Sequence, residues 1–130
     1  MKKFYTLTVL LLLVTFSFVS CNKDKDGPRI KVTTPENNSF YSWGDNLIIS
    51  ATFTDDVDLA EYEVFFTDVD NNSTTDFNWQ AKESISGTEQ EYFHTLTVPQ
   101  TAEDQYLINF KLTDAAGKEA NSQRLITINQ

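Results

Sequence analysis

The stretch that decides the fold is Asn46–Thr54, NLIISATFT, in which apolar and polar residues alternate. In an extended strand, one face would hold Leu47, Ile49, Ala51 and Phe53, and the other face the residues between them. A period of two residues indicates a β-strand with one buried face. Residues 105–113, QYLINFKLT, repeat the pattern, and no window has the i, i+3, i+4, i+7 spacing of an amphipathic helix. The chain is therefore predicted to be all-β.

Outward from this stretch, turn residues interrupt the alternation about every ten positions between residues 29 and 130. The predicted strands are Arg29–Thr34, Asn46–Thr54 and residues 59–67, 77–85, 91–98, 105–113 and 121–129. Pro99 closes the fifth of them, because proline has no N–H to donate to a ladder. Seven short strands favour an immunoglobulin-like β-sandwich, which places a corner tyrosine at the start of its sixth strand, here Tyr106.

The composition fits one domain that does not bind nucleic acid. The chain has 130 residues, of which 40% are hydrophobic, with ten Phe, five Tyr and two Trp. That is enough for one core and too much for a disordered segment. Acidic residues outnumber Lys and Arg by 19 to 10 and give a net charge of −9. A phosphate-binding face needs clustered basic residues, and here they are scattered, so no nucleic acid partner is expected.

The first residues resemble the signal of a bacterial lipoprotein. Lys2 and Lys3 precede an uncharged apolar run at 4–19, and the small residue Ser20 precedes Cys21, the single cysteine of the sequence. The run is shorter than the roughly 20 apolar residues of a membrane span and has the layout of a secretory signal. Lipoproteins are cut before the cysteine, which is then lipidated, so the resemblance implies that Cys21 becomes the acylated N-terminus. The alternative is a buried or free thiol in a membrane-anchoring helix.

This interpretation divides the chain into a signal peptide at 1–20, a lipidated cysteine with a polar stalk at 21–28, and the β-sandwich at 29–130. Residues 21–24, Cys-Asn-Lys-Asp, also resemble the export tag of lipoproteins from the Bacteroides group. That tag implies a lipid anchor in the outer membrane with the domain facing the cell surface. A periplasmic orientation is the alternative.

Motifs along the rest of the chain carry a further resemblance. They are Gly44-Asp45-Asn46-Leu47, Ala51-Thr52-Phe53-Thr54-Asp55, Leu59 with Tyr62, Trp79, Ile85-Ser86-Gly87, Val98-Pro99, Tyr106 and Asp114-Ala115-Ala116-Gly117-Lys118. Together they look like a family of small immunoglobulin-like lipoprotein domains of unknown function from the Bacteroides group. The resemblance implies fold and location and supplies no activity. Members often carry a His- and Asn-rich loop after the third strand, but the matching residues 68–76 contain no histidine.

No catalytic residue, metal site or cofactor is predicted. The sequence has one histidine, His94, and no Gly-x-Ser-x-Gly, His-Glu-x-x-His or phosphate-loop motif. A lone strand histidine lacks the partners that nucleophilic or acid–base catalysis requires, so His94 is interpreted as a packing or edge residue. A hydrolase built from surface carboxylates is the alternative.

Two acidic clusters raise the question of calcium, a hard cation that prefers several oxygen ligands. The first cluster combines the loop between strands two and three with the loop between strands six and seven. The second cluster follows strand three. Their members are Asp55, Asp56, Asp58 and Asp114 for the first, and Asp68, Asp70 and Asp76, beside Glu103 and Asp104, for the second. The alternative for both is turn chemistry, because Asp and Asn side chains bond their own backbone.

Three apolar residues are predicted to form a binding face. If the inward positions of strands three, six and seven are filled as the alternation suggests, Phe65, Leu107 and Leu125 turn outward on one sheet. A contiguous apolar patch of that kind marks an interface. The alternatives are a register shift in the last strand, or a loop that covers Phe65.

The function expected from the sequence is a lipid-anchored binding module of the outer membrane or cell surface without catalytic activity. Its partners would be the membrane, through the lipid, and a protein or glycan. Two alternatives stay open: a structural or accessory subunit of a surface carbohydrate-uptake or adhesion assembly, and a calcium-stabilised adhesion domain.

Overall fold

The computed structural model describes residues 26–130, which form a β-sandwich of eight strands and no helix. The strands are β1 (Arg29–Thr34), β2 (Ser39–Ser42), β3 (Asn46–Thr54), β4 (Leu59–Asp68), β5 (Gln80–Ser84), β6 (Glu89–Thr97), β7 (Asp104–Asp114) and β8 (Glu119–Asn129). No segment of residues 26–130 is a helix long and apolar enough to cross a membrane. The predicted signal peptide and Cys21 lie outside the described residues.

The strands form two sheets, and the predicted immunoglobulin-like sandwich is confirmed. One sheet has the order β1-β3-β6, and the other has the order β2-β8-β7-β4-β5. All pairings are antiparallel except that of β2 with β8. The expected count of seven strands is wrong because β2 was not predicted. This strand has four residues, too few to show a period, and it is held by the parallel ladder to β8 and by the N–H of Asn38, which donates to the carbonyl of Leu125 at 2.8 Å.

The predicted strand at 77–85 is shorter than expected and begins at Gln80. Phe77 is buried in the preceding loop, where its ring stacks on Phe66 with a centroid distance of 4.2 Å. The N–H of Trp79 donates to the carbonyl of Phe77 at 2.8 Å. This tight turn takes a backbone group that a ladder would need, so two aromatic residues of the loop pack on β4 and extended structure starts after them.

The core lies between the sheets and consists of the faces that the alternation predicted. Its central members include Leu47, Ile49, Ala51 and Phe53 of β3, Tyr62, Val64 and Phe66 of β4, Tyr106, Ile108, Phe110 and Leu112 of β7, and Ile126 and Ile128 of β8. Tyr106 is the corner tyrosine: its hydroxyl accepts from the N–H of Glu103 at 2.9 Å and donates to Asp76 at 2.7 Å. That prediction is confirmed.

The two sides of the sandwich differ. On one side the chain passes from β1 in the first sheet to β2 in the second and closes the gap between them. On the other side β5 and β6 are the edge strands of their sheets, and no strand of the described chain pairs with their free edges. Because Trp79 and His94 contact each other across this side, the two free edges face each other.

Candidate functional site

Between these edges lies a cleft of about 460 Å³, which we name the β5–β6 cleft. Its lining residues are Tyr62, Trp79, Gln80, Ala81, Lys82, Glu83, Glu91, Tyr92, Phe93 and His94. Aromatic and charged residues thus share one open groove, whereas the rest of the space between the sheets is filled by the apolar core.

Strand alternation explains why these side chains converge. Ala81 lies opposite the buried Val64, and Glu83 lies opposite the buried Tyr62, so both point toward the space between the sheets. On the facing sheet, Tyr92 and His94 lie opposite Ala51 and Ile49 of β3 and point inward too. The methyl group of Ala81 leaves room in the middle of β5, and this small side chain keeps the groove open.

Trp79 and His94 form one wall of the cleft. Their rings stack with a centroid distance of 4.6 Å and an interplanar angle of 17°. Trp79 also meets Phe66 edge-on at 5.9 Å, which ties it to the core. His94 therefore lies on an edge strand and packs against an aromatic ring, which confirms its interpretation as a packing or edge residue.

Two tyrosines and a carboxylate form the floor. The rings of Tyr62 and Tyr92 are 5.3 Å apart. Burial raises the pKa of Tyr62 to about 12, and its hydrogen bond to Glu83 acts in the same direction because the phenol donates to the carboxylate. Burial is also the main cause that raises the pKa of Tyr92.

The hydroxyl of Tyr92 has an unusual position. The residue is only 7% exposed, and within residues 26–130 its hydroxyl has no hydrogen-bond partner. Leaving a buried polar group unpaired costs about 1–3 kcal/mol. Because this oxygen is shielded from solvent, a ligand in the cleft reaches it only after neighbouring side chains move.

The predicted face of Phe65, Leu107 and Leu125 lies on the outer side of the five-stranded sheet, on the adjacent strands β4, β7 and β8. Leu107 and Leu125 are direct cross-strand partners, and the register expected for β8 is correct. All three side chains are half-buried, and the partner of Phe65 on β7 is Asn109. Binding at this face stays a prediction.

A polar network explains why this face is partly covered. Gln123 on β8 donates both to Asn109, at 2.7 Å, and to Asn71 in the loop after β4, at 2.9 Å. Asn109 in turn donates to Thr67 at 3.0 Å. The loop therefore reaches across the outer face of β7. The large apolar side chains that are most exposed lie elsewhere, at Phe40 and at Phe93 on the outer face of β6, each about 70% exposed.

The acidic residues after β4 act as turn residues. The carboxylate of Asp68 accepts from the N–H groups of Asp70 and Asn72 at 2.9 and 2.8 Å. The bonds from Asn72 are the main cause that holds the pKa of Asp68 below its usual value. Asp76 accepts from Tyr106. In the part of the chain that the structure describes, no group of three or more His, Cys, Asp or Glu residues is arranged to hold a metal ion.

The acidic cluster at the opposite end has the same character. Asp55 accepts from the N–H groups of Val57 and Asp58, and Asp114 accepts from that of Lys118 at 2.8 Å. Asp56 is exposed. One oxygen each of Asp55 and Asp114 is buried without a partner among the described residues. For both clusters the hydrogen bonds show the turn chemistry that was the alternative to calcium.

The family of the chain follows from its sequence. The family described as Domain of unknown function (DUF4625) matches residues 19–129. The chain belongs to this family. The expected resemblance to an immunoglobulin-like family of unknown function is thereby confirmed in its general terms, whereas the Bacteroides origin and the lipoprotein nature stay predictions. No curated protein matches the sequence significantly.

Solved structures with a similar fold agree with the sandwich of this DUF4625 member. A fibronectin(III)-like module structure of Clostridium thermocellum CbhA matches with a TM-score of 0.50 and 17% identity, over 77% of this chain and 94% of that one. The sporulation control protein Spo0M of Bacillus subtilis matches with a TM-score of 0.50 and 12% identity. That match covers 81% of this chain and half of Spo0M. At these identities the likeness concerns the fold alone.

Sequence reasoning missed the β5–β6 cleft, although its signal was present. Trp79, Ala81 and Glu83 alternate with outward residues, and so do Tyr92 and His94. In a sandwich of this topology their strands are the edges of the two sheets on one side. Placing both alternations into the fold would have brought these five residues together.

Proposed function

We propose that this protein is a non-catalytic binding module, held at the outer membrane by a lipid on Cys21, that takes its ligand in the β5–β6 cleft. The observation that carries the proposal is the cleft itself, a groove of about 460 Å³ with Tyr62, Trp79 and His94 in its lining, on the side of the sandwich where both sheet edges are free. Concave sites that combine aromatic walls with a few polar groups are the usual places for ligands.

The cleft supports binding and gives no sign of a catalytic arrangement. The imidazole of His94 stacks on Trp79, and the carboxylate of Glu83 is bonded to a tyrosine hydroxyl, whose protonated form it stabilises. Both groups are thus fixed as parts of a surface. An immunoglobulin-like sandwich with such a groove on a free side suits a module that captures a ligand for a cell envelope.

The experiment tests the proposal by filling the cleft with a larger side chain. Ala81→Leu places a larger side chain in the middle of the groove, and Ala116→Leu makes the same change in the exposed turn between β7 and β8. The detergent-purified full chain is incubated with isolated envelopes of the cells that produce it, and the bound fraction is measured. We expect Ala81→Leu to lower the bound fraction at least fivefold and Ala116→Leu to leave it unchanged. Equal retention of both variants would show that the ligand does not use this cleft.

A further inference from the structure

We infer that a second copy of this chain binds at the free edge of β6, and that it does so with its own β1. The contact continues the three-stranded sheet from one copy into the next. This inference goes beyond the proposed function, because it concerns the edges and the outer face of this sheet and not the space between the two sheets. Three observations carry it: the free edges, their opposite charges, and the levels at which those charges lie.

Both edge strands of the three-stranded sheet can accept an added strand. The order is β1-β3-β6, and no strand of residues 26–130 pairs with the outer edge of β1 or of β6. β6 offers nine residues and β1 offers six. On β1 one backbone group is already engaged, since Arg124 donates to the carbonyl of Val32 at 3.5 Å. Free edges of this kind can pair with a strand of another chain.

The two edges carry opposite charges. On β1 the side chains of Arg29 and Lys31 are exposed, and on β6 those of Glu89 and Glu91 are exposed. All four lie on the outer face of the sheet, because the residues that alternate with them face the core. An acidic strand therefore meets a basic strand when the sheet continues from β6 of one copy to β1 of the next.

The register puts these charges at matching levels of the sheet. Through one residue of β3, Arg29 lies level with Glu89, and through another, Lys31 lies level with its own carboxylate, Glu91. β1 and β6 also run in the same direction, because both are antiparallel to β3. A second copy added in the same orientation would place each basic side chain beside the carboxylate of its level, on a strand about 4.8 Å away. Opposite charges in neighbouring strands attract each other.

The basic residues of β1 have no partner within their own copy. Of the ten Lys and Arg residues of the sequence, six lie in residues 26–130. Four of these form ion pairs or hydrogen bonds, and they are Lys82, Lys111, Lys118 and Arg124. Among the described residues, the side chains of Arg29 and Lys31 form neither. The two bases without a partner are thus the two that would meet carboxylates of a second copy.

The next row of the same face gives the contact an apolar part. Phe93 on β6 is 70% exposed, and through Ser50 of β3 it lies level with Thr34 of β1. In an added copy Thr34 would lie beside Phe93, and aromatic and β-branched residues form favourable pairs across strands. The contact would then cover an aromatic ring that the single copy leaves in solvent.

A pair of two β6 edges is the competing contact, since it could bring the Phe93 rings of two copies together. It would also bring Glu89 and Glu91 of both copies into one interface, on a chain with a net charge of −9, and it would leave Arg29 and Lys31 without partners. Exposed charges protect edge strands against unspecific pairing, but such protection does not require opposite signs at matching levels. The observations therefore favour β1 as the strand that β6 binds.

The first test exchanges the charges of the two edges. Arg29→Glu/Lys31→Glu makes both edges acidic, and Glu89→Lys/Glu91→Lys makes both basic. Each full chain is purified in detergent with either of two tags, and capture of one tagged form by the other is measured at about 0.15 M salt, where the net charges of separate copies are largely screened. We expect each variant to capture itself about tenfold less than the unmodified chain, because attractive pairs become repulsive. A mixture of the two variants should restore capture.

The control is Asp70→Lys/Glu103→Lys, which changes the net charge as much as the basic variant does. Both residues are exposed in loops, after β4 and before β7, so this variant should capture itself like the unmodified chain. Thermal denaturation checks that every variant is folded. The inference is wrong if the unmodified chain does not capture itself, if the mixture does not recover, or if Arg29→Glu/Lys31→Glu alone behaves like the unmodified chain, the result expected of two paired β6 edges.

A disulfide tests the register of the contact. One copy carries Phe93→Cys and the other Thr34→Cys, whose Cα atoms would be about 4.8 Å apart, within the range of a disulfide. Thr97→Cys is the matched control, because it lies on the same face about 13 Å further along β6. Cys21 is common to all forms and contributes equally. We expect oxidation to link Thr34→Cys to Phe93→Cys and not to Thr97→Cys. Equal yields with both would overturn the inferred contact.

Discussion

At the scale of single residues, two buried tyrosines differ in what their hydroxyl groups contribute to the fold. The hydroxyl of Tyr106 accepts from the backbone of Glu103 and donates to Asp76. Tyr92 as a residue is about as deeply buried, with 7% exposure against 3% for Tyr106, and its hydroxyl has no partner within residues 26–130. Phenylalanine at position 92 would bury the same ring without an unpaired hydroxyl.

The two tyrosines therefore predict opposite results for the same substitution. Tyr106→Phe should lower the free energy of unfolding by about 1–2 kcal/mol, because it leaves a backbone N–H and a carboxylate without their partner. Tyr92→Phe should change it by less than about 0.5 kcal/mol or raise it, because no bond is lost. Urea denaturation of both variants gives the comparison through the shift of the midpoint. A loss at Tyr92 as large as that at Tyr106 would reveal a partner for its hydroxyl.

At the scale of elements, the predictability of a strand from sequence follows its burial and its length. β3 and β7 have nine and eleven residues with one face in the core, so the hydrophobic period is long and their positions were predicted within one residue. β2 has four residues and β5 has five, and both lie at sheet edges. Their conformation depends on pairing with β8 and β4, and tertiary contacts of this kind leave little trace in a local pattern.

The turn between β7 and β8 is an element that the residue types of the sequence indicated. Gly117 has φ = 85°, its N–H donates to the carbonyl of Asp114 at 3.0 Å, and the N–H of Asp114 donates back to the carbonyl of Lys118. A positive φ is a region that only glycine enters without steric cost. The hairpin therefore depends on glycine for its backbone conformation and not for space, since a methyl group at Gly117 would meet nothing within 4 Å.

This geometry gives a prediction at the element scale. Gly117→Ala should lower the free energy of unfolding by about 1 kcal/mol, the cost of an L-residue in the left-handed region. Gly27→Ala is the control, because its backbone is not in that region and its added methyl group would lie 4.0 Å from Lys118, at ordinary contact distance. Thermal denaturation of both variants checks the difference. If both variants melted alike, turn strain would not be what Gly117 relieves.

At the scale of the whole molecule, the sequence predicted the sandwich better than the candidate site. The core faces of β3, β4, β7 and β8 follow from a local period, and the sandwich follows from their number. The β5–β6 cleft depends on which strands end up at the sheet edges and on one small residue, Ala81, facing the gap. Both facts belong to topology, and a single strand read alone does not contain them.

The prediction for the whole molecule is that a lipid on Cys21 holds the protein at the membrane. Cys21→Ala should prevent acylation, so the protein should leave the membrane fraction or stay at its precursor mass. The measurement is fractionation of the producing cells with mass spectrometry of the recovered chain, and Ser20→Ala serves as a control that keeps a small residue before the cysteine. A Cys21→Ala protein that remained in membranes at its mature mass would exclude the lipid anchor.

The position of the described N-terminus has a mechanical consequence. The carbonyl of Asp26 accepts from Lys118, and Arg29 pairs with Thr54, so the chain enters β1 at the end of the sandwich formed by the turns after β3 and β7. A tether at Cys21 would pull β1 along its own axis, while a captured ligand would pull β6, and with it β3, in the opposite direction. The antiparallel ladder between β1 and β3 would then be loaded in shear, with its hydrogen bonds sharing the force at the same time instead of opening one after another like a zipper. A module that is pulled between a membrane and a bound ligand would be strongest in that direction. Single-molecule extension along this axis and across it would measure the difference.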